Sequence, residues 1–319
     1  MNPRKVLVTG GAGFIGGHVA AAYIERGDRV WIVDDLSTGR RANLPAGGEF
    51  VELDIGSPTL ADLFRDAGGF DLVNHHAAQI DVRRSVADPR ADARINIDGL
   101  LNVLECARTH DAARVLFVSS GGVVYGEPEQ RPTPENAPKA PLSPYGVTKL
   151  AAEYYLHYYA RIHGLDYVAL RYANVYGPRQ DPHGEAGVVA IFANRLLAGE
   201  PIAVFGDGEQ TRDYVFVGDV VRANMLLSDA TLQAAHTIDD RAYNIGTGTE
   251  TSVNRLADEM IAVAERDIER RHLEARPGEL RHSCLDCRRA HSAGWRPATT
   301  LREGLHMTYT FIAGEEAVR

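Results

Sequence analysis

The chain has 319 residues, 45% of them hydrophobic and 24% charged, an ordinary globular composition of a length that suggests about two domains. Its formal net charge of -9 argues against a nucleic-acid partner, which needs a basic face to meet the phosphate backbone. Three cysteines are too few for a disulfide scaffold, no run reaches the apolar length of a membrane span and the N-terminus lacks a signal-peptide layout, so a cytoplasmic protein with no membrane partner is expected.

In chain order, Lys5–Thr9 is a short apolar run that reads as a strand, and glycines follow it at once. A helical stretch then runs on to Arg26. Further strand-like runs lie at residues 30–33, 50–53, 72–76, 115–119 and 167–171, with helical patterns between most of them, among them 96–108 and 147–163. Alternating strand and helix implies a mostly parallel sheet covered on both faces. The strands are near-continuous apolar runs, as burial of both faces requires. After Tyr176 the rhythm loosens at Pro178, Pro182 and Gly184. A strand at 243–245 is expected to return to the sheet, a helix to span 253–265, and the tail from Leu301 to be helical at first and then polar. The expectation is an α/β fold with a doubly wound parallel sheet. Its first domain covers residues 1–176, with a returning segment near 205–248. A smaller, interleaved C-terminal substrate-binding domain covers 177–319.

The glycines carry the first chemistry. Thr9-Gly10-Gly11-Ala12-Gly13-Phe14-Ile15-Gly16 links the first strand to the first helix. Gly10, Gly13 and Gly16 permit a tight turn and close approach of backbone to a diphosphate, and the helix N-terminus offers unpaired N–H groups to the anion. Asp34, at the end of the second strand, is placed to accept hydrogen bonds from the adenosine ribose and to repel a 2′-phosphate, which favours NAD over NADP. A glycine fingerprint alone is weak, but here strand, loop, helix, second strand and acid fall in order.

Glycine at every third position resembles the extended short-chain dehydrogenases/reductases, a family with a Rossmann-type NAD-binding fold. The resemblance implies that Phe14 and Ile15 belong to the cofactor loop and that Asp54 and Ile55 lie near the adenine. It also places Ala77, Ala78, Gln79, Asn96, Ser119 and Tyr172 beside the cofactor.

Ser143-Pro144-Tyr145-Gly146-Val147-Thr148-Lys149 opens a helix, with Ser143 as N-cap and Pro144 at the first helical position. Tyr145 and Lys149 share one face at a spacing of four. A phenol with a reference pKa of about 10 is a poor base, and an ammonium nearby stabilises its phenolate. Tyr-x-x-x-Lys is common and usually structural. Behind a dinucleotide fingerprint it resembles the catalytic pair of the same superfamily, and both residues then also hold the cofactor. The family's third catalytic residue, a Ser or Thr ahead of Val-Tyr-Gly, is missing: Gly121 stands there in Ser119-Ser120-Gly121-Gly122-Val123-Val124-Tyr125-Gly126. Ser120 is the candidate replacement, with Ser119 or a water as alternatives. Gly121 and Gly122 are expected to leave more room beside the nicotinamide. The acid pair of the sugar-nucleotide dehydratases is absent, since Gly122 and Val123 occupy its place.

Arg171-Tyr172-Ala173-Asn174-Val175-Tyr176-Gly177-Pro178-Arg179, Phe205-Gly206-Asp207-Gly208 and Thr211-Arg212-Asp213-Tyr214-Val215 resemble motifs of the UDP-glucose 4-epimerase family. The resemblance implies a UDP-sugar bound by Asn174, Val188, Arg212, Tyr214, Arg276, Glu279 and Ser283, with Arg212 and Arg276 clamping the diphosphate, as bidentate guanidinium groups can. It implies reversible C4 inversion of UDP-galactose and UDP-glucose through a 4-keto sugar with tightly bound NAD. Ser283 is small where a bulky residue would exclude N-acetylated sugars. Leu150, Tyr154 and Tyr158 form an apolar face on a helix that resembles part of the family's homodimer interface. Rival readings are a UDP-glucuronate or UDP-pentose 4-epimerase, with Arg83, Arg84 or Arg179 meeting a C6 carboxylate, a nucleotide-sugar reductase, or a non-catalytic NAD-binding regulator. Cys284 and Cys287, with His282 and His291 near, offer a metal site only if those histidines join them; no metal is expected.

Overall fold

A computed structural model describes residues 3–182, 187–275 and 280–318. The chain forms β1 (Lys5–Thr9), β2 (Arg29–Asp34), β3 (Glu49–Glu52), β4 (Leu72–His75), β5 (Arg114–Ser120) and β6 (Asp166–Tyr172). It continues through β7 (Asn174–Tyr176), β8 (Ile202–Phe205), β9 (Thr211–Arg212), β10 (Tyr214–Phe216), β11 (Ala242–Ile245), β12 (Thr251–Ser252) and β13 (Arg270–Leu273). One sheet of seven strands runs β11-β6-β5-β4-β1-β2-β3, parallel throughout. This is the doubly wound Rossmann arrangement expected from the sequence. Strand order reverses between β1 and β4, where Thr9 pairs with His75. In open sheets of this kind ligands bind outside the strand ends at that reversal, so the fold places a site over the glycine loop.

Both sheet faces are buried for the reason the apolar strands imply. On one face Val6, Val8, Ile32, Leu116, Val168 and Leu170 pack with residues of the Phe14–Glu25 and Val217–Asp229 helices. On the other, Leu7, Val33, Val73, Val115, Phe117 and Ala169 meet the Leu60–Ala67, Gly99–Thr109 and Pro144–His163 helices. A third core gathers Tyr176, Phe192, Leu196, Ile202, Val204, Tyr214, Leu256, Met260 and Leu305. Around it β7 pairs with β10, β9 with β12 and β8 with β13.

Two local expectations need correction. The helix read over 96–108 begins as a π-helical turn, Arg94–Asp98, before the α-helix Gly99–Thr109; such turns recur where a side chain must be aimed, and this one carries Asn96. The tail helix does not stop: Leu301–Val318 is helical throughout, because Leu301, Tyr309 and Ile312 face the third core.

Candidate active site

The glycine loop is tight enough that side chains are excluded by geometry. Gly10 has φ +66°, and a Cβ on it would lie 2.6 Å from the Ala77 nitrogen. On Gly16 a Cβ would lie 2.3 Å from the Gly10 carbonyl. The Phe14–Glu25 helix starts from Gly13 with no acidic residue in its first turn, so its N-terminal amides face the loop without a competing negative charge. Phe14 and Ile15 are half-buried in that turn. Asp34 is nearly buried and accepts from the Ala12 and Leu36 amides at 3.0 and 2.8 Å; burial pushes its carboxyl up, and those amides restrain the rise. Asp54 is exposed, whereas Ile55 turns into the core against Gly99. A bare backbone cradle with a carboxylate beside it fits a dinucleotide.

Ala77 and Ala78 are half-buried and carry the loop that covers Gly10. That loop is fixed from beneath. Asn96 donates to the Gln79 carbonyl at 3.0 Å and accepts from the Gln79 amide at 2.9 Å. Gln79 and Asn96 both donate to one oxygen of Asp92, at 2.9 and 3.0 Å, and Thr148 donates to the other at 2.9 Å. Asp92 is fully buried and was not singled out from the sequence. Only its place four residues before Asn96, one helical turn away, hints at the contact.

Ser143 caps the next helix by accepting from the Gly146 amide at 3.1 Å, which sets Tyr145 in the first turn. Tyr145 and Lys149 are both nearly buried. The Lys149 ammonium donates to the Val118 carbonyl at 2.9 Å and lies 5.7 Å from the centre of the Tyr145 ring and 4.9 Å from that of Phe117. Burial holds it down to about 8, while the carboxylates of Asp92 and Glu153 lift it. His76, also near Lys149, is held down to about 3 by burial and then by that charge; its Nε2 is buried with no hydrogen-bond partner among the described residues.

Around Gly121 the sequence reading is corrected. Gly121 leaves no extra room, because a Cβ would lie 2.5 and 2.8 Å from the two terminal methyls of Leu285, whose side chain is buried; Gly122 is open, with only the Ser120 hydroxyl near a Cβ, at 3.8 Å. Gly121 is where Leu285 sits. Ser119 donates to Glu153 at 2.5 Å, so its hydroxyl is committed; Ser120 is half-buried and does not cap the turn that follows it. Glu153 also takes Arg171, which is fully buried and reaches the Tyr125 hydroxyl at 2.9 Å and Asp239 at 2.9 Å. This network was invisible in the sequence, where Glu153 reads as one more polar residue on a helix.

Tyr172 is a second correction. Its ring is packed in the core and its hydroxyl accepts from Asn224 at 2.7 Å, so its side chain does not face the cradle; it can offer a cofactor only backbone.

Among the residues expected at the sugar, β7 beside β10 sets Asn174 opposite Tyr214. Arg212 lies on β9 and donates to the Thr211 carbonyl at 2.8 Å. Ser283, nearly buried, donates its amide to the Thr211 carbonyl at 3.2 Å. Buried Asp213, between Arg212 and Tyr214, accepts from the Thr247 and Gly248 amides and ties these segments together. Val188 opens the Val188–Ala198 helix. Arg276 and Glu279 lie outside the described residues. Of the arginines considered for a sugar carboxylate, Arg83 pairs with Asp81 at the surface, and Arg179 stands by Asn43 instead, next to the glycine loop. Cys284 and Cys287 are free, buried thiols, both pushed up chiefly by burial. Among the described residues no helix is long and apolar enough to cross a membrane.

Residues 6–246 match the model of the NAD dependent epimerase/dehydratase family. A putative UDP-glucose 4-epimerase of Methanocaldococcus jannaschii is 45% identical, covering 94% of this chain and 95% of that one. A UDP-glucose 4-epimerase of Thermotoga maritima, solved with UDP-glucose, is similar in structure at a TM-score of 0.93 and 44% identity, covering 98% and 99% of the two chains. The UDP-glucose 4-epimerase of Thermus thermophilus, solved with NAD, follows at 0.90 and 41%, covering 97% and 99%.

Proposed function

The chain belongs to the NAD-dependent epimerase/dehydratase family, and from that premise we propose that it inverts C4 of a UDP-hexose, with UDP-galactose and UDP-glucose as the pair interconverted. It is an NAD-dependent UDP-sugar epimerase. The observation that carries the C4 assignment is the buried Tyr145–Lys149 pair beside the glycine cradle.

NAD, when bound, accepts and returns the sugar hydride. The chain's own residues do the rest. Gly10, Gly13 and Gly16 hold the dinucleotide's diphosphate with bare backbone, and Asp34 holds its ribose. Tyr145 takes the proton of the C4 hydroxyl on its phenol oxygen and later gives it back. The Lys149 ammonium stabilises the phenolate, as a cation in a dry site can. Asn174, Arg212, Tyr214 and Ser283 bind the UDP portion and its sugar, with Arg276 and Glu279 assigned with them on resemblance. Uridine diphosphate does not react, so its binding energy keeps the 4-keto sugar in place while it turns. Small Ser283 leaves N-acetylated sugars as further substrates. The absence of a side chain at Gly121 leaves Ser120 as the hydroxyl for the sugar's C4 oxygen.

Tyr145→Phe tests this reading. Turnover of UDP-galactose in a coupled assay should fall by about 10²-fold or more, the range of a lost proton-transfer group, with UDP affinity within twofold of wild type. Retention of most activity ends the assignment.

The active form is a homodimer in this reading. Val147, Tyr154, Tyr158 and Ile162 stand about half to two-thirds exposed along one helix, with Val86 nearby at 62%. Leu150, expected in that face, instead packs on the core. Light scattering should give twice the chain mass.

A further inference from the structure

The segment that follows β7 crosses back over the cofactor loop. The Pro178 carbonyl meets His18 Nε2, on the first helix, at 3.0 Å. Asp181 meets Arg40 at 3.3 Å. Between them Arg179 places Nη1 3.4 Å from the Asn43 carbonyl. Asn43 itself lies on the glycine loop: its side-chain amide donates to the Ala12 carbonyl at 3.0 Å, and its carbonyl is 3.0 Å from where a Cβ on Gly17 would stand. The Arg179 guanidinium is therefore carried to the start of the first helix.

Two further observations point to an anion there. Arg179 has φ +69°, a left-handed conformation that a non-glycine residue adopts at a cost and that gathers at functional sites. Its guanidinium has five donors, yet its single described hydrogen bond is the long one to Asn43, and among the described residues no carboxylate pairs with it. The neighbouring arginines are spoken for, Arg40 by Asp181 and Arg41 by Glu52. Residues 10–18 contribute no lysine or arginine, so the loop offers a doubly negative diphosphate only backbone amides and the helix end.

We propose that Arg179 is the cation that binds the cofactor's diphosphate, closing the glycine cradle from the sugar-binding side. The proposal rests on NAD as cofactor. It moves Arg179 away from the sugar carboxylate considered on sequence grounds. A planar guanidinium can take two phosphate oxygens at once, which backbone amides do separately.

The test uses the nucleotide-free full chain and two variants. Arg179→Met keeps the stem and removes the charge; Arg179→Gly also relieves the left-handed backbone. Titration calorimetry should show NAD affinity reduced at least tenfold in both, with UDP affinity within twofold of wild type. Thermal melting without nucleotide should be unchanged in Arg179→Met and unchanged or higher in Arg179→Gly, which a packing role for Arg179 would not give. NAD affinity within twofold of wild type in Arg179→Met overturns the proposal. So does weakened UDP binding with NAD binding intact, which puts the guanidinium on the substrate. A wild-type chain that binds no NAD removes the cofactor reading and this proposal together.

Discussion

Gly121→Ser would restore a hydroxyl-bearing side chain at the position the family fills, and the structure says what it would meet. The new Cβ lies 2.5 and 2.8 Å from the terminal methyls of Leu285, whereas relaxed carbon contacts are about 3.5–4.0 Å, so Leu285 must retreat by about 1 Å. Its backbone cannot easily move. The Leu285 amide donates to Asp213 at 3.3 Å, and Cys284 and Asp286 on either side are each hydrogen-bonded to Thr133 at 2.9 Å. Relief must come from a changed rotamer in a buried cluster, which costs about 1–3 kcal/mol. For a chain of this size that lowers Tm by roughly 2–6 °C. Differential scanning calorimetry on nucleotide-free protein measures it. Gly122→Ser is the control, because a Cβ there has only the Ser120 hydroxyl near it, at 3.8 Å, and its Tm should move far less. Leu285→Ala combined with Gly121→Ser should be more stable than the sum of the single changes implies, since the two sites share one space. A Gly121→Ser protein that melts with wild type, or strict additivity in the pair, refutes the account of why glycine is there.

Gly16→Ala presses a methyl to 2.3 Å from the Gly10 carbonyl, backbone that can yield only by opening the loop. Protein-bound NAD after gel filtration should fall from near one per chain to a small fraction, and undiminished NAD would count against the cradle. Asp92→Asn removes a carboxylate that lifts Lys149 from the low value burial imposes, about 8 with Asp92 present. The alkaline limb of kcat/KM should move down by about one pH unit, and an unmoved limb would detach Asp92 from Lys149. The stability effect of Lys149 has the opposite sense. The unfolded chain keeps this proton to about 10.4 and the folded chain only to about 8, so unfolding takes up a proton between those values and folded stability rises with pH across that window.

What was legible in the sequence was whatever depends on neighbours in the chain. The apolar strands, the glycine turn, the Ser-Pro entry to the helix and the return of β11 all rest on local pattern, and the parallel sheet follows from their alternation. What stayed hidden depends on which side chain meets which across the fold. Asp92 and Glu153 are acids on helices, where a solvated surface role is the ordinary expectation; only the assembled sheet reveals them as buried. Gly121 looked like space, because a sequence shows the missing side chain and not the leucine, far along the chain, that fills it. Tyr172 is placed at the cofactor by resemblance alone, while strand alternation turns its ring to the opposite face. Arg179 could not be placed at all until the segment after β7 was seen crossing the glycine loop.

The buried charges beneath the site fit together in the proposed mechanism, which requires Lys149 as a cation. Burial alone would favour its neutral form, and the two carboxylates oppose that: Asp92 through the Thr148 turn and Glu153 one turn further along the same helix. Neither carboxylate is easily buried alone. Glu153 is neutralised by fully buried Arg171, which in turn meets Asp239, itself paired with Lys139. Asp92 is held by neutral donors from Gln79, Asn96 and Thr148. Gln79 and Asn96 also fix the loop over Gly10, so the loop and the charge at Lys149 share one buried acid. A hydrophobic replacement of the ion pairs could fold as well or better, but it would leave Lys149 free to lose its proton near neutral pH. In the proposed reaction the polar core serves the chemistry above it and not the stability of the sheet.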